Sequence, residues 1–327
     1  MQTFYGFDPI KQREKTEIRR AANAVGAAYS SMLAVSFVLQ LALMATLGVI
    51  FGTERMLSIM QDNLLISSLQ IVLSILMFTV PYIVVSKVLG YNISNLVETR
   101  KPKRENLLPI FFVGWGLCAL SEVFTNIFAS VLSYVGIEPA MPQMESGNSI
   151  IERSLYVVAI AVVPPLVEEF AMRGIVTGLL RRLGDGVAIL LTAVIFGLMH
   201  ANLIQIPFAF VAGLGLGFVA VKSGSLWPAV ILHFAVNGVS VVTELISRVA
   251  PAPFADVAFT FYLMIVLILG VLGFVTLARR EKAAFTFEKG ELSATLKEKL
   301  SWFFSAPFII ISLVITAIEI IFVQVLY

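Results

Sequence analysis

Residues 162–174 read VVPPLVEEFAMRG, which sets two carboxylates, an arginine and a proline pair inside an apolar run long enough to cross a bilayer. An ionisable side chain at membrane depth is costly, and where one occurs it faces a partner or a functional cavity. The surrounding composition decides the solvent. Of 327 residues, 58% are hydrophobic and 13% charged, and the mean hydropathy is +0.92. No water-soluble domain of this length needs so much apolar surface, so the chain reads as an integral membrane protein.

Spanning ~30 Å of hydrocarbon takes roughly 20 apolar residues in a helix. Runs of that kind occupy 28–51, 64–89, 107–135, 151–179, 186–204, 206–221, 225–246, 255–278 and 306–326. The pattern predicts an all-α polytopic transmembrane helix bundle of about eight to nine spans, with the site inside the bundle. Lys and Arg accumulate on the cytoplasmic side of short loops. With the N-terminus inside, the outer segments hold only Arg55, Arg153 and Arg248, Arg173 being intramembrane. The basic loop Arg100 to Arg104, including Lys103, falls inside, as do Arg181, Arg182, Lys222, Lys282 and Lys289.

The first twenty residues are polar and basic and lack the apolar core of a secretory signal, so an uncleaved cytoplasmic N-terminus is expected. The expected organisation is a tail and three membrane helices over 1–149, a catalytic core over 150–246, and C-terminal membrane helices over 247–327. A charged amphipathic linker at 279–304 lies at the cytoplasmic surface. Net charge +2 offers nothing to nucleic acid. Cys118 is the single cysteine, which excludes an intrachain disulfide and a cysteine-based metal site.

In the opening stretch Glu169 and Arg173 are four apart, on one helix face and in the favourable order for an ion pair. Glu168 is displaced from Arg173 by about 140° around a helix of 3.6 residues per turn. One carboxylate is thus structural and the other free, and desolvation strengthens a free carboxylate as a base. Pro164 and Pro165 remove amide donors just before the pair and predict a kinked or opened helix there. Both histidines, His200 and His233, sit in apolar runs, with Phe196 four before the first and Asn237 four after the second. At ~1.5 Å per residue from the inner face, Glu168, His233, Asn237 and His200 all fall about 12 to 20 Å deep, in one slab.

EEFAMR at 168–173, FGLMH at 196–200 and HFAVN at 233–237 resemble the motifs EExxxR, FxxxH and HxxxN, in that order and on consecutive membrane segments. These mark the CAAX prenyl protease and bacteriocin-processing family of intramembrane glutamic endopeptidases. The resemblance covers roughly 150–245. It implies that Glu168 and His200 activate water, that His233 and Asn237 stabilise the oxyanion, and that Glu169 and Arg173 brace the helix, with Phe196 a wall of the cavity. It also implies a membrane-associated peptide or protein as substrate, in a membrane read here as the bacterial cytoplasmic membrane, and no cofactor.

A zinc ion held by Glu168, His200 and His233 is the metal alternative. Against it, the sequence holds no HExxH. A proton-coupled transporter or channel would also use buried ionisable groups, and a catalytically silent scaffold or immunity protein would keep the fold. The first does not explain three ordered motifs, and the presence of every motif residue argues against the second. Glu122 and Glu319 are further intramembrane carboxylates, and Gly213 and Gly217 form a spacing suited to close helix packing.

Overall fold

The computed structural model describes residues 8–102, 105–138, 144–280 and 284–326, and all regular structure among them is helical. Ten helices carry the architecture: α1 (Pro9–Phe51), α2 (Asn63–Val88), α3 (Leu107–Tyr134), α4 (Ile150–Leu183), α5 (Asp185–Leu198), α6 (Gln205–Ser223), α7 (Trp227–Ser247), α8 (Ala252–Arg280), α9 (Leu296–Phe304) and α10 (Pro307–Leu326). Seven helices among the described residues are long and apolar enough to cross a membrane, and an eighth span arises if α9 and α10 are joined across their 68° bend.

From Pro9 onward the polar N-terminal stretch is already helical. Asp8 caps α1 by accepting from the amides of Ile10 and Lys11, and Pro9 supplies a first residue whose missing amide costs nothing. Ile18, Ala22, Val25, Tyr29 and Met32 then recur at helical spacing and are buried, so the helix starts well before its apolar run. The start of α9 is fixed by a capping box, Thr295 with Glu298. Lys11 donates to Glu298 at 2.6 Å, and that hydrogen bond, aided by the Thr295 donors, holds the Glu298 carboxyl down at about 2.

The expected fifth span is a shorter element. Helix α5 has 14 residues and rises only about 21 Å, less than the hydrocarbon thickness. It forms an antiparallel hairpin with α6 whose tip, residues 199–204, carries His200. Gly213 and Gly217 make the hairpin close: an added Cβ would stand 3.1 Å from Ala193 Cα at the first and 3.0 Å from Ile189 Cγ2 at the second. Because the hairpin returns to the side it left, the grouping of the loops survives the lower span count.

That grouping is visible as ion pairs. At one end Arg182 meets Glu17 at 3.5 Å and Glu291 at 2.9 Å, Arg181 meets Glu98 and Asp185, and Lys222 donates to the carbonyl of Thr286. At the other, Arg248 meets Glu145 at 3.4 Å and Glu244 at 2.7 Å. Such surface pairs contribute little stability each, but they place the loops expected inside together, apart from those expected outside. Lys103, Arg104 and Lys282 lie outside the described residues.

A single cysteine introduced at exposed Lys289, after replacing Cys118, is expected to react with an impermeant maleimide from one side of a sealed vesicle only, and one at Asn148 from the other. Labelling of both from the same side would break the α4 crossing. Gly184 is unsuited to this probe, because its φ of +109° and the nearby Lys289 carbonyl strain any side chain there.

Candidate active site

Helix α4 is irregular where its sequence demands it. The backbone widens into π turns over Val158–Val162 and Phe170–Val176, on either side of an α-helical Val163–Glu169. Pro164 and Pro165 explain the first. In an α register the carbonyl of Ile160 would accept from residue 164, and in a π register from residue 165; neither proline has an amide hydrogen to give. Asn237, from α7, supplies the donor instead: its Nδ2 lies 3.0 Å from Ile160 O. One amide hydrogen of Asn237 is therefore committed to the α4 backbone.

Beyond this opening, Glu169 and Arg173 pair at 2.7 Å with both side chains fully enclosed. Arg173 also donates to Gly213 O at 3.1 Å and lies 4.3 Å from the centroid of the Phe196 ring. The same Glu169 oxygen accepts from His233 Nδ1 at 2.9 Å. The opposite nitrogen of that ring, Nε2, stands 3.9 Å from Glu168 Oε2. The imidazole thus bridges the two carboxylates of the pair. Arg173, Glu169, His233 and Glu168 form one line of ionisable groups, ending on a carboxylate that keeps 12% of its side chain exposed.

His200 is oriented from its own helix. Its Nδ1 lies 2.8 Å from Phe196 O, and since a carbonyl only accepts, Nδ1 carries a proton, which in the neutral tautomer leaves Nε2 unprotonated. The turn behind it is locked by Ala201, at φ +46°, and by buried Asn202, whose Oδ1 accepts from the amides of Ile204 and Gln205. A non-glycine residue in the left-handed region is strained and persists only where its surroundings enforce it. Phe196 joins the parts, its ring edge-on to His200 at 5.3 Å and to His233 at 5.9 Å while Arg173 covers its face.

Six of the seven residues singled out in the sequence, Glu168, Glu169, Arg173, Phe196, His200 and His233, are joined by these contacts, while Asn237 meets α4 at the Ile160 carbonyl. Their spacing did not reveal that Glu169 anchors His233 as well as Arg173, that Asn237 satisfies Ile160 O, or that Ala201 and Asn202 set the tip that holds His200. Two adjacent prolines foretold an orphaned carbonyl, and an Asn just after an apolar run is a turn signal. Among the described residues no group of three or more His, Cys, Asp or Glu side chains is placed to hold a metal ion.

Replacing Asn237 with Ala is expected to cost about 1 kcal/mol of stability by removing the part-buried hydrogen bond to Ile160 O, besides any effect on turnover. Unchanged thermal stability in detergent would show that Ile160 O does not depend on it.

The elements that make up this group are α4 to α7, a continuous stretch of chain. Residues 151–239 match the family model described as Rce1-like: Type II CAAX prenyl endopeptidase Rce1-like. The match spans roughly a quarter of the chain and contains all three motifs, so the resemblance read from the motifs and the family model agree. No curated protein and no solved structure matched the chain. The Rce1-like segment supports a CAAX-type membrane protease acting on membrane-associated protein or peptide, in a multi-pass helical membrane protein.

Proposed function

We propose that the chain is an intramembrane glutamic endopeptidase in which Glu168 is the general base. The observation that carries this reading is the His233 ring held between Glu169 at 2.9 Å and Glu168 at 3.9 Å. Glu169, neutralised by Arg173, is occupied. Glu168 is partly open and free to take a proton from water.

In the proposed reaction Glu168, with the unprotonated Nε2 of His200 assisting, removes a proton from water as its oxygen attacks the scissile carbonyl. The carbonyl oxygen becomes an oxyanion. His233 Nε2 donates to it when the ring carries both protons, and the second amide hydrogen of Asn237 is the other donor, the first being held by Ile160 O. Preorganised donors of this kind are worth most in a dry site. Glu168 then passes its proton to the leaving amine as the C–N bond breaks, which regenerates the carboxylate. Glu169, Arg173 and Phe196 hold His233 and the widened α4 in place.

Candidate substrates are prenylated CAAX proteins or leader peptides at the membrane surface. The proposed setting is a bacterial cytoplasmic membrane, with the N-terminus and the basic end of the bundle cytoplasmic. The reaction as written needs no metal. The purified protein, reconstituted in vesicles, is expected to cleave a fluorogenic lipidated peptide, to resist chelators, and to carry no stoichiometric zinc by elemental analysis. One zinc per chain, with activity lost to a chelator and restored by metal, would move Glu168, His200 and His233 from acid-base roles to ligation.

A further inference from the structure

A groove of about 710 Å³ runs between α1 and α2 at the basic end of the bundle. Its volume lies in the range of small-ligand sites. Its two ends differ in chemistry. Arg19 and Arg20 line one, beside Leu89, and Ala27 and Val84 lie towards the other, with Val88 and Phe308 completing the apolar wall. Val84 is 50% and Val88 78% exposed, so the apolar wall opens sideways to where acyl chains would lie.

The arginines are unlike their neighbours. Arg13, Arg181 and Arg182, at the same end, are each paired with carboxylates. Arg19 and Arg20 have no carboxylate within ion-pairing distance among the described residues. Arg19 donates to Ser305 O at 3.1 Å, and Arg20 donates to Leu89 O at 3.2 Å and lies over the Tyr91 ring. Both carbonyls close helix C-termini, where the partial negative charge orients a guanidinium without neutralising it. Each arginine keeps further N–H donors. Asn23, also in the lining, spends its Oδ1 on the Phe308 amide and retains its NH₂.

Two uncompensated guanidiniums above an open apolar wall, at one end of a membrane bundle, match an anionic amphiphile in both halves. We infer that this groove binds an anionic phospholipid of the same leaflet, its phosphate on Arg19 and Arg20 and one acyl chain along Val84, Val88 and Phe308. Guanidinium suits the site because it meets phosphate oxygens with two parallel hydrogen bonds. The bound lipid would brace α1 against α2, which also packs on the α4 segment bearing Glu168.

The test is lipid retention by the full-length purified protein, measured by native mass spectrometry after incubation with phosphatidylglycerol and phosphatidylcholine of identical chains. Wild type is expected to prefer phosphatidylglycerol by about thirtyfold, the worth of two basic residues facing an anionic headgroup. Arg19→Gln with Arg20→Gln should abolish that preference, and Val84→Trp, which fills the apolar end, should lower retention of both lipids. Lys87→Gln, an exposed cation on α2 outside the groove, should change nothing. Equal retention of the two lipids by wild type, a preference that survives loss of both arginines, or an equal loss in Lys87→Gln would overturn the proposal. None of these readouts depends on peptide cleavage.

Discussion

Glu168→Gln is expected to reduce peptide cleavage by about 10²- to 10⁴-fold, the usual contribution of a general base, while leaving the fold intact. The substitution keeps size and hydrogen-bonding capacity and removes only basicity. Among the described residues the ion-pairing contact of Glu168 is to His233 Nε2 at 3.9 Å, too far for a hydrogen bond whose loss would register in stability. Thermal stability in detergent should therefore stay within about 0.5 kcal/mol of wild type, as for a substitution that disturbs no buried network. Reconstituted variant and wild type would be compared on the same lipidated peptide, with KM and kcat separated. A base lost from the chemical step lowers kcat and kcat/KM together. Retained cleavage would remove Glu168 from the mechanism, and a raised KM with unchanged kcat would make it a substrate-binding group.

The parts of this protein that were legible in its sequence are those set by a single element. The apolar runs gave the helical bundle, because a bilayer admits little else. The i,i+4 spacing gave the Glu169–Arg173 pair, and both the pairing and the separate situation of Glu168 are present in the structure. What spacing could not give was set between elements. Hydropathy alone made 186–204 a span, whereas α5 stops at Leu198 because the tip must turn at Ala201 and Asn202 to aim His200. Angular separation on an ideal helix put Glu168 and Glu169 on unrelated faces. Yet one imidazole from α7 reaches both, since its two nitrogens point in opposite directions and α4 widens into π turns nearby. Asn237 is similar: its spacing from His233 suggested a shared task, and its contact to Ile160 O shows a duty that only the proline pair on α4 explains.

Removing the charge of Glu169 is expected to act on stability first. Glu169→Gln leaves Arg173, whose side chain is fully enclosed, with Gly213 O and the Phe196 ring as direct partners and only the more distant Glu168 as counter-charge. Breaking one side of a buried pair costs about 3–5 kcal/mol, because the survivor's charge is left uncompensated. Cleavage should fall as well, since His233 exchanges an ionised acceptor for a neutral one. A second variant separates these effects. Glu169→Leu combined with Arg173→Leu removes both charges together, and such replacements are often neutral or stabilising where the residues pack. The double variant should therefore recover most of the stability lost in Glu169→Gln, yet stay inactive, because His233 Nδ1 no longer has an anchor and the ring that faces Glu168 is free to turn. Detergent melting curves and cleavage rates for the three proteins decide the matter. If the double variant recovers activity along with stability, the 2.9 Å contact between Glu169 and His233 is packing, and the line of ionisable groups from Arg173 to Glu168 carries no part of the chemistry.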